Sequence, residues 1–251
     1  MQFNNIDIED LKTIALKAGE IIMEIYNKDF SVEYKDDKSP LTQADLKSNE
    51  FICTNLEKLY PNVPIMSEEN KEIDYEIRKD WEYYFCVDPI DGTKEFIKKN
   101  GEFTINIALI HKNNPVLGVV YAPVLNHLYW ADGINSYKNN QKLPLKVNKT
   151  PKEKLYVIAS KSHLSVETQD FIDNLDSKEI AQISKGSSLK LCMIAEGTAN
   201  IYPRLAPTME WDTAASDAIV RCAGKMTYQY KNNKPLFYNK ENLLNPWFVV
   251  R

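Results

Sequence analysis

The most informative stretch of this chain is Asp88-Pro89-Ile90-Asp91-Gly92-Thr93-Lys94-Glu95-Phe96, which directly follows the apolar run Tyr83-Tyr84-Phe85-Cys86-Val87. That run is short, aromatic and β-branched, which predicts a buried strand with Asp88 at its end. Pro89 and Gly92 favour a tight turn that would bring the two carboxylates together. The pattern is typical of a surface turn and equally of a site that holds metal ions against a phosphate.

Two further acidic segments favour the metal site. Ser67-Glu68-Glu69-Asn70 follows a short apolar segment, and Trp211-Asp212-Thr213-Ala214-Ala215 opens an Ala-rich helical stretch. Each has an alternative explanation, because adjacent glutamates are common in solvated loops and an Asp at a helix start commonly caps backbone N–H groups. Divalent ions such as Mg²⁺ prefer oxygen ligands, however, so the segments together predict a site for two or three ions. The carboxylates concerned are Glu68, Asp88, Asp91 and Asp212.

In this order, the three segments resemble the metal-dependent, lithium-sensitive phosphatases of the inositol monophosphatase superfamily. That family has an acidic pair headed by a ligand Glu, then a D-P-I/L-D-G-T block, then W-D-x-A-A on a helix. Lys94-Glu95-Phe96 stands where the inositol enzymes usually have Thr-Asn-Phe, and in this respect the chain looks like the bacterial CysQ branch, the 3'(2'),5'-bisphosphate nucleotidases. The likeness extends from about Ser39 to the end. Further matching segments are residues 100–110, 118–123 and 186–190.

The resemblance implies an α/β fold, the five-layer α-β-α-β-α sandwich of inositol monophosphatases. The residue pattern is compatible with it, since apolar residues at three-and-four spacing over 8–25 predict a first helix and a second begins near Thr42. Apolar segments separated by Asn, Gly and Pro turns then indicate strands of an antiparallel sheet. These segments are residues 103–110, 116–122 and 128–131.

Two halves are expected within one compact enzyme unit. Residues 1–149 are predicted to form an α+β half that carries most of the metal ligands. Residues 150–251, in which strands and helices alternate from Leu155, are predicted to form an α/β half that carries Asp212 and the turn at 186–190. No repeat, low-complexity tract or obvious linker separates the halves.

The resemblance also implies how the ligands are shared between magnesium ions. Glu68, Asp88 and the Ile90 carbonyl would hold the first ion. Asp88, Asp91 and Asp212 would hold the second, so that Asp88 bridges the two. We expect two to three Mg²⁺ ions per site, with the ions neutralising a phosphate monoester that is itself doubly anionic.

The expected catalytic residues are Glu68, Thr93 and Asp45. By resemblance, Thr93 orients the water that Glu68 and the ions activate, so no phosphoenzyme is required. Thr42-Gln43-Ala44-Asp45 also has the interval of a capping box, which would make Asp45 a helix-capping residue. In the family, the string Ser-Pro-x-Thr-x-Ala-Asp places this Asp beside the third ion, and residues 39–45 match it throughout. The catalytic role is therefore favoured, and it is compatible with a cap from Thr42.

The turn Gly186-Ser187-Ser188-Leu189-Lys190 is the predicted recognition segment. It leads into an apolar helix, so its backbone N–H groups could face an anion, with Lys190 adding charge; a Ser-capped helix start is the alternative. The resemblance implies nucleotide contacts from the Gly and Lys of this turn and from His163, whereas His111 and His127 are expected to be structural. The candidate substrate-binding residues are Glu68, Asp88, Asp91, Gly92, Thr93, His163, Gly186, Ser187, Ser188, Lys190 and Asp212.

Composition narrows the class of protein. At 251 residues with 43% hydrophobic content, the chain can bury a substantial core. No apolar run approaches the ~20 residues that span a bilayer, and the N-terminus lacks a basic-then-apolar signal pattern. A cytoplasmic location is therefore expected, with peripheral contact at the inner membrane left open. The net charge of −4 argues against nucleic-acid binding, so the expected partner is a small-molecule nucleotide, and the oligomeric state is left open.

Cysteine and glycine usage excludes two other classes. The cysteines sit singly in apolar segments without a C-x-x-C pair, which favours reduced buried thiols over disulfides or zinc. These are Cys53, Cys86, Cys192 and Cys222. The chain has eight glycines, and none forms the Gly-x-x-x-x-Gly-Lys-Ser/Thr string of a P-loop kinase or ATPase.

The function expected is Mg²⁺-dependent removal of the 3'-phosphate from adenosine 3',5'-bisphosphate, giving AMP and phosphate beside sulfate assimilation, with conversion of the sulfated analogue PAPS to APS as an additional reaction. Within the superfamily, the alternatives are an inositol monophosphatase and a sugar bisphosphatase, which residues 94–96 disfavour. A phosphoaspartate phosphatase spaces its aspartates two positions apart, whereas Asp88 and Asp91 are three apart. A non-catalytic nucleotide sensor is the remaining alternative, and it would be free to lose Thr93.

Overall fold

The computed structural model describes residues 5–28, 32–34, 40–70, 73–145, 153–159 and 165–251. The helices are α1 (Ile8–Tyr26), α2 (Gln43–Leu59), α3 (Tyr75–Arg78), α4 (Thr93–Ile97), α5 (Val166–Asp173), α6 (Leu189–Glu196) and α7 (Ala214–Cys222). The first seven strands are β1 (Val32–Tyr34), β2 (Pro40–Thr42), β3 (Ile65–Ser67), β4 (Tyr83–Asp91), β5 (Thr104–His111), β6 (Asn114–Ala122) and β7 (His127–Ala131). The others are β8 (Ser136–Lys138), β9 (Gln141–Lys142), β10 (Lys154–Ala159), β11 (Glu179–Ser184), β12 (Tyr202–Arg204), β13 (Thr227–Gln229) and β14 (Phe248–Val250).

A large sheet with the order β3-β4-β5-β6-β7-β8-β9 forms the centre of the fold. Strands β3 and β4 are parallel, and the pairs from β4 to β9 are antiparallel. Both faces of this sheet are buried, as the alternation of side chains along β4 shows: Phe85 and Val87 pack in the cluster with α1 and α2, whereas Tyr84 and Cys86 pack in the cluster with α6 and α7. The strands are therefore apolar on both faces.

Smaller sheets and helices complete the layers. Helices α1 and α2 contact one face of the large sheet, and α7 contacts the other face beside α6. Beyond them lie the parallel pair β10-β11 and the three-stranded sheet β12-β14-β13. Strand β12 contacts α6, β13 contacts α7, and both β10 and α5 contact β12. A parallel bridge between Val157 and Ile201 links these two smaller sheets. The layers run α-β-α-β-α, so the predicted fold class is confirmed.

Helix α7 lies unusually close to the large sheet at Gly118 of β6. A Cβ atom built at this glycine would be 2.2 Å from the carbonyl oxygen of Ala215 and 2.9 Å from the Cβ of Ala218. Only a hydrogen fits between strand and helix at this point. This contact fixes how closely the N-terminal turn of α7 approaches the sheet, and Asp212 lies immediately before that turn.

Three further predictions concern the described chain. The first helix lies where the apolar pattern places it, and the second helix begins directly after Thr42, which is its N-cap. The buried strand predicted to end at Asp88 is present, but it continues to Asp91. The four cysteines are free, and burial raises the pKa of Cys53 and Cys222 to about 11 each. Among the described residues, no helix combines the length and apolarity needed to cross a bilayer. The division at residue 150 stays a prediction.

Candidate metal centre and substrate cleft

The Asp88–Asp91 segment forms a β-bulge rather than the tight turn that the sequence predicts. Strand β4 continues through Asp91, and its partners on β5 are Asn106 for Asp88 and Thr104 for Asp91. Three steps along β4 therefore match two along β5, which leaves one extra residue in β4. In a regular strand, residues three apart face opposite sides of the sheet. The extra residue brings both aspartates to the α6–α7 face. Pro89 is tolerated because bulges accept a residue without an N–H.

Gly92 ends the strand and begins α4. Its φ of +92° lies in the left-handed region, which glycine adopts without the steric cost of a Cβ. The chain reverses there, so Thr93 stands at the first position of α4. The Thr93 hydroxyl lies 3.4 Å from the Ile90 carbonyl oxygen and 3.4 Å from Asp45 Oδ1. The chain therefore bends at Gly92, after the bulge, and not between the two aspartates as the sequence predicts.

A carboxylate cluster lies on this face of the sheet. Glu68, Asp88 and Asp212 each offer an oxygen, and these oxygens all lie within 4.8 Å of one another. Asp88 is 1% exposed; its Oδ1 accepts the Ile90 N–H at 3.0 Å, and its Oδ2 has no hydrogen-bond partner within the described part of the chain. A buried carboxylate oxygen without a protein partner is costly unless a cation binds it. The donor set, all hard oxygens, fits Mg²⁺.

The ionised carboxylates of the cluster repel one another, and this repulsion contributes to the raised pKa values of two of them. Burial first, and then the negative charge of Glu68, raises the pKa of Asp88 well above its ordinary value. Burial, followed by the charges of Asp91 and Glu68, raises the pKa of Asp212 to about 8. Carboxylates that resist ionisation when they are alone ionise readily beside a divalent cation. The cluster is thus arranged for a positive ligand.

Each member of the cluster is positioned by its own segment. Glu68 follows β3, where its N–H donates to the Val87 carbonyl at 3.2 Å, and the preceding Ser67 hydroxyl donates to Asn49 of α2 at 2.6 Å. Asp212 Oδ2 accepts the Met209 N–H at 2.9 Å. Asp212 does not cap α7, since Thr213 occupies the N-cap position. The capping alternative considered for Asp212 is therefore wrong.

The loop that carries Asp212 rests on a buried ion pair that sequence reasoning missed. Glu210 is 0% exposed and pairs with Lys240. Its carboxylate also accepts the backbone N–H groups of Asn239 at 2.7 Å and Lys240 at 3.0 Å. A single Glu and a single Lys thirty positions apart give no local sequence signal. Their pairing joins the Asp212 loop to the C-terminal segment.

Asp45 takes part in the capping of α2 and also contacts Thr93, and its place beside a third ion stays a prediction. Its Oδ2 accepts the Thr42 N–H at 2.8 Å, and the Thr42 hydroxyl caps the helix in return by accepting the Ala44 N–H at 3.2 Å, so the predicted capping box is confirmed. Its other oxygen, Oδ1, lies 3.4 Å from the Thr93 hydroxyl. Asp45 is 1% exposed, so this carboxylate is a fixed neighbour of Thr93.

A cleft of about 710 Å³ opens beside the cluster. Most of the residues predicted from the sequence line it: Glu68, Asp91, Gly92, Thr93, Gly186, Ser187, Lys190 and Asp212. Asp88 and Ser188, each 1% exposed, lie beneath its surface. His163 lies outside the described residues. Sequence reasoning missed a further group of polar lining residues, namely Lys94, Glu95, Lys98, Glu102, Lys185, Tyr202 and Arg204.

The recognition turn is held differently from the prediction. The Gly186 N–H donates to Glu102 Oε2 at 2.9 Å, and Lys185 pairs with Glu102 Oε1 at 3.0 Å, so this N–H is already satisfied. Ser188 is at the N-cap of α6, yet its hydroxyl does not cap the helix. It lies instead 2.8 Å from Asp91 Oδ2. The Ser188 side chain is 1% exposed, and the assignment of Ser188 to the substrate-binding residues stays a prediction.

Lys190 and Arg204 form the basic end of the cleft. The Lys190 ammonium lies 5.9 Å from the Tyr202 ring centroid, and burial lowers the pKa of Lys190 below its ordinary value, against the opposing charge of Asp91. Arg204 is 9% exposed; its Nη2 donates to the Pro207 carbonyl at 2.8 Å, and its Nε has no partner within the described residues. An unpaired guanidinium N–H beside a cleft suits an anionic ligand.

This architecture defines a layered α/β protein with a candidate metal centre that borders a cleft lined by both acidic and basic side chains. The chain belongs to the inositol monophosphatase family, whose model matches residues 5–246.

Two full-length relatives have a more specific name. The protein named 3'(2'),5'-bisphosphate nucleotidase CysQ from Escherichia coli is 42% identical over 246 residues, covering 97% of this chain and 98% of that protein. Its namesake from Salmonella typhimurium is 41% identical over 245 residues, with the same shares covered. The crystal structure of CysQ from Bacteroides thetaiotaomicron has a TM-score of 0.87 and 44% identity, and covers 97% of this chain and 96% of that chain.

Proposed function

We propose that this enzyme is a 3'(2'),5'-bisphosphate nucleotidase that hydrolyses the 3'-phosphate of adenosine 3',5'-bisphosphate in a Mg²⁺-dependent reaction. The observation that carries the proposal is the buried Asp88 oxygen, which has no partner among the described residues and belongs to a carboxylate cluster that borders a cleft with a basic end. Cations at the cluster would hold the reacting phosphate, and the basic end would hold a second anionic group. The full-length nucleotidase relatives support the same enzyme class.

The residues that would hold the ions are Glu68, Asp88, Asp91, Asp212 and the Ile90 carbonyl. Bound Mg²⁺ would supply positive charge that neutralises the phosphate oxygens and increases the acidity of water. The remaining catalytic work is assigned to the protein's own side chains around Thr93.

Thr93 is proposed to orient the attacking water. Its hydroxyl proton points to Asp45 or to the Ile90 carbonyl, both at 3.4 Å, so its oxygen is left to accept a hydrogen bond from a water molecule in the cleft. Glu68 lines the same cleft and is proposed to take the proton of that water. The water oxygen then bonds to phosphorus as the bond to the ribose 3'-oxygen breaks, and the leaving oxygen takes a proton from solvent.

The preference for a nucleotide bisphosphate is assigned to the basic end of the cleft. Lys190 and Arg204 both line it, and neither belongs to the carboxylate cluster. A substrate with one phosphate at the cluster and a second anionic group farther along would use both ends. PAPS has the same 3'-phosphate and is proposed as an additional substrate. The metal identity and number, cytoplasmic location, peripheral membrane contact and oligomeric state stay predictions.

A phosphate-release panel tests the proposal. The purified protein would be assayed with adenosine 3',5'-bisphosphate, PAPS, inositol 1-phosphate and fructose 1,6-bisphosphate, with and without Mg²⁺ and with a titration of Li⁺. We expect the highest kcat/KM for the adenosine bisphosphate, inhibition by Li⁺ and loss of activity in EDTA. A higher kcat/KM for inositol phosphate or the sugar bisphosphate would instead assign the enzyme to another branch. Nucleotide binding without phosphate release would support the sensor alternative.

A further inference from the structure

A chain of buried polar side chains runs from β5 to the Asp91 carboxylate. The Thr104 hydroxyl donates to Asn106 Oδ1 at 3.0 Å, Asn106 Nδ2 donates to Ser188 Oγ at 2.9 Å, and Ser188 Oγ donates to Asp91 Oδ2 at 2.8 Å. Thr104 is 0% exposed, and Asn106 and Ser188 are each 1% exposed. No member of this chain other than Asp91 lines the cleft among the described residues.

The direction of the hydrogen bonds follows from the chemistry of the groups. The Asn106 amide has one acceptor and one donor side, and because Oδ1 accepts from Thr104, the donor side faces Ser188. Ser188 Oγ therefore accepts from Asn106 and keeps a single proton to donate. Two acceptors compete for that proton, Asp91 Oδ2 at 2.8 Å and the Asp212 carbonyl at 2.7 Å. One hydroxyl thus joins two of the proposed metal-binding residues.

The same contacts act on one oxygen of Asp91. Asn106 Nδ2 lies 3.4 Å from Asp91 Oδ2, the atom that Ser188 also contacts. Donors grouped on one carboxylate oxygen restrict the rotation of the carboxylate from that side. Hydrogen bonds of this kind to a ligating group commonly govern its affinity for metal.

We propose that Ser188 and Asn106 are positioning residues, which set the orientation of Asp91 for a divalent cation and couple it to the Asp212 loop. The inference rests on the proposed function, since it assumes that Asp91 binds the cation. Under this proposal, Ser188 acts on the Asp91 carboxylate and not on the substrate itself. Substrate contact would affect one class of substrate, whereas positioning of a metal ligand affects metal binding itself.

The test is Mg²⁺ binding measured by isothermal titration calorimetry on the substrate-free protein, with activity measured in parallel. Ser188→Ala should weaken Mg²⁺ binding by about 10–100-fold. It should also increase the Mg²⁺ concentration that gives half-maximal activity, equally for adenosine 3',5'-bisphosphate and for a small phosphate ester. Ser216→Ala is the matched control. Ser216 is 0% exposed and donates to the Thr213 carbonyl at 3.1 Å, so its loss removes a buried hydroxyl without touching Asp91.

Asn106→Leu, a substitution of similar volume, is the second variant, and it tests the inference if Ser188→Ala does not fold. It should shift Mg²⁺ binding in the same direction, and the double variant should lose less than the two single losses combined, because the residues act through one chain. Unchanged Mg²⁺ binding in either folded single variant would overturn the inference, as would a loss confined to the nucleotide. Wild-type protein that binds no Mg²⁺ would overturn the proposed function as well.

Discussion

Asp88 shows how the surroundings of a single side chain indicate its role. Its motif identifies a candidate ligand, but only the structure reveals that one oxygen is satisfied by the Ile90 N–H and the other by no described protein group. Asp45 is the complementary case, since its sequence spacing predicts a cap and the structure adds contact with Thr93. The resemblance supplied the pairing of Asp45 with the site, because sequence spacing alone accounts only for the cap.

Asp212→Asn should abolish turnover without unfolding the protein. The change removes a charged oxygen from the cluster, so we expect kcat to fall more than about 100-fold, as loss of several kcal/mol of metal-derived stabilisation implies. In EDTA at pH 8, the variant should unfold at the same or a higher temperature than the wild type, since it buries less repulsive charge. Steady-state kinetics and thermal denaturation check both points. Asp80→Asn, at an exposed position, is the control and should change neither quantity.

Lys190→Ala and Thr93→Ala should separate recognition from catalysis. Lys190 belongs to the basic end of the cleft, so its loss should reduce kcat/KM for adenosine 3',5'-bisphosphate by roughly 10–150-fold, as expected for a charge-assisted contact. A small ester such as 4-nitrophenyl phosphate should be affected much less. Thr93→Ala should slow both substrates alike, because Thr93 is proposed to orient the water. Equal losses for the two substrates in Lys190→Ala would contradict the recognition role.

The sequence predicts helix α1 accurately, but it does not predict the bulge in β4. The apolar pattern over residues 8–25 predicts α1, and Ile8–Tyr26 is observed, because a helix repeats its buried face every three to four residues. The segment Asp88–Asp91 is local in sequence, but its geometry depends on pairing with β5, and a Pro and a Gly are equally compatible with a turn. Strand register across a sheet is a long-range property, which explains the wrong turn prediction.

Gly118→Ala should destabilise the protein more than Gly224→Ala. At Gly118 the new methyl would meet the Ala215 backbone at 2.2 Å and force α7 away from the sheet, an overpacking cost of about 1–3 kcal/mol or more. At Gly224 there is open space, and only the φ of +76° opposes the substitution. Denaturant unfolding gives the two free energies. Because α7 follows Asp212, Gly118→Ala should also lower activity, whereas Gly224→Ala should leave it unchanged.

Across all the layers, contacts between distant segments create much of the cleft. Arg204 and Tyr202 line it without belonging to any motif recognised in the sequence, because packing of the two sheet systems brings them there. The carboxylates, by contrast, were found from sequence because each stands in a distinctive local string. The motif therefore predicts the metal centre, and tertiary packing determines the surroundings of the substrate.

The stability of the metal-free protein should fall as the pH rises from about 5 to 8. The pKa of Asp212 is raised to about 8 in the folded state, so the folded protein retains a proton that the unfolded chain has already lost over this range. The contribution of this proton to the free energy of unfolding is therefore lost as the pH rises towards the folded-state pKa of Asp212. Thermal denaturation in EDTA measures this trend, with each 1 kcal/mol moving Tm by about 2–4 °C.

Mg²⁺ should stabilise the wild type more at pH 8 than at pH 5, because the cation must displace protons at low pH. Asp212→Asn is the matched variant, and its Tm in EDTA should depend less on pH than that of the wild type. A Tm that rises with pH in the metal-free wild type would contradict the proposed repulsion.

The extra residue between Asp88 and Asp91 makes this centre sensitive to strand register as well as to chemistry. If β4 paired with β5 in regular alternation at its present length, Asp91 would lie opposite Phe103 instead of Thr104. The second aspartate would then point through the sheet into the apolar layer of α1 and α2, away from its partners. Loss of the bulge at unchanged chain length would thus damage the reaction more than the sheet.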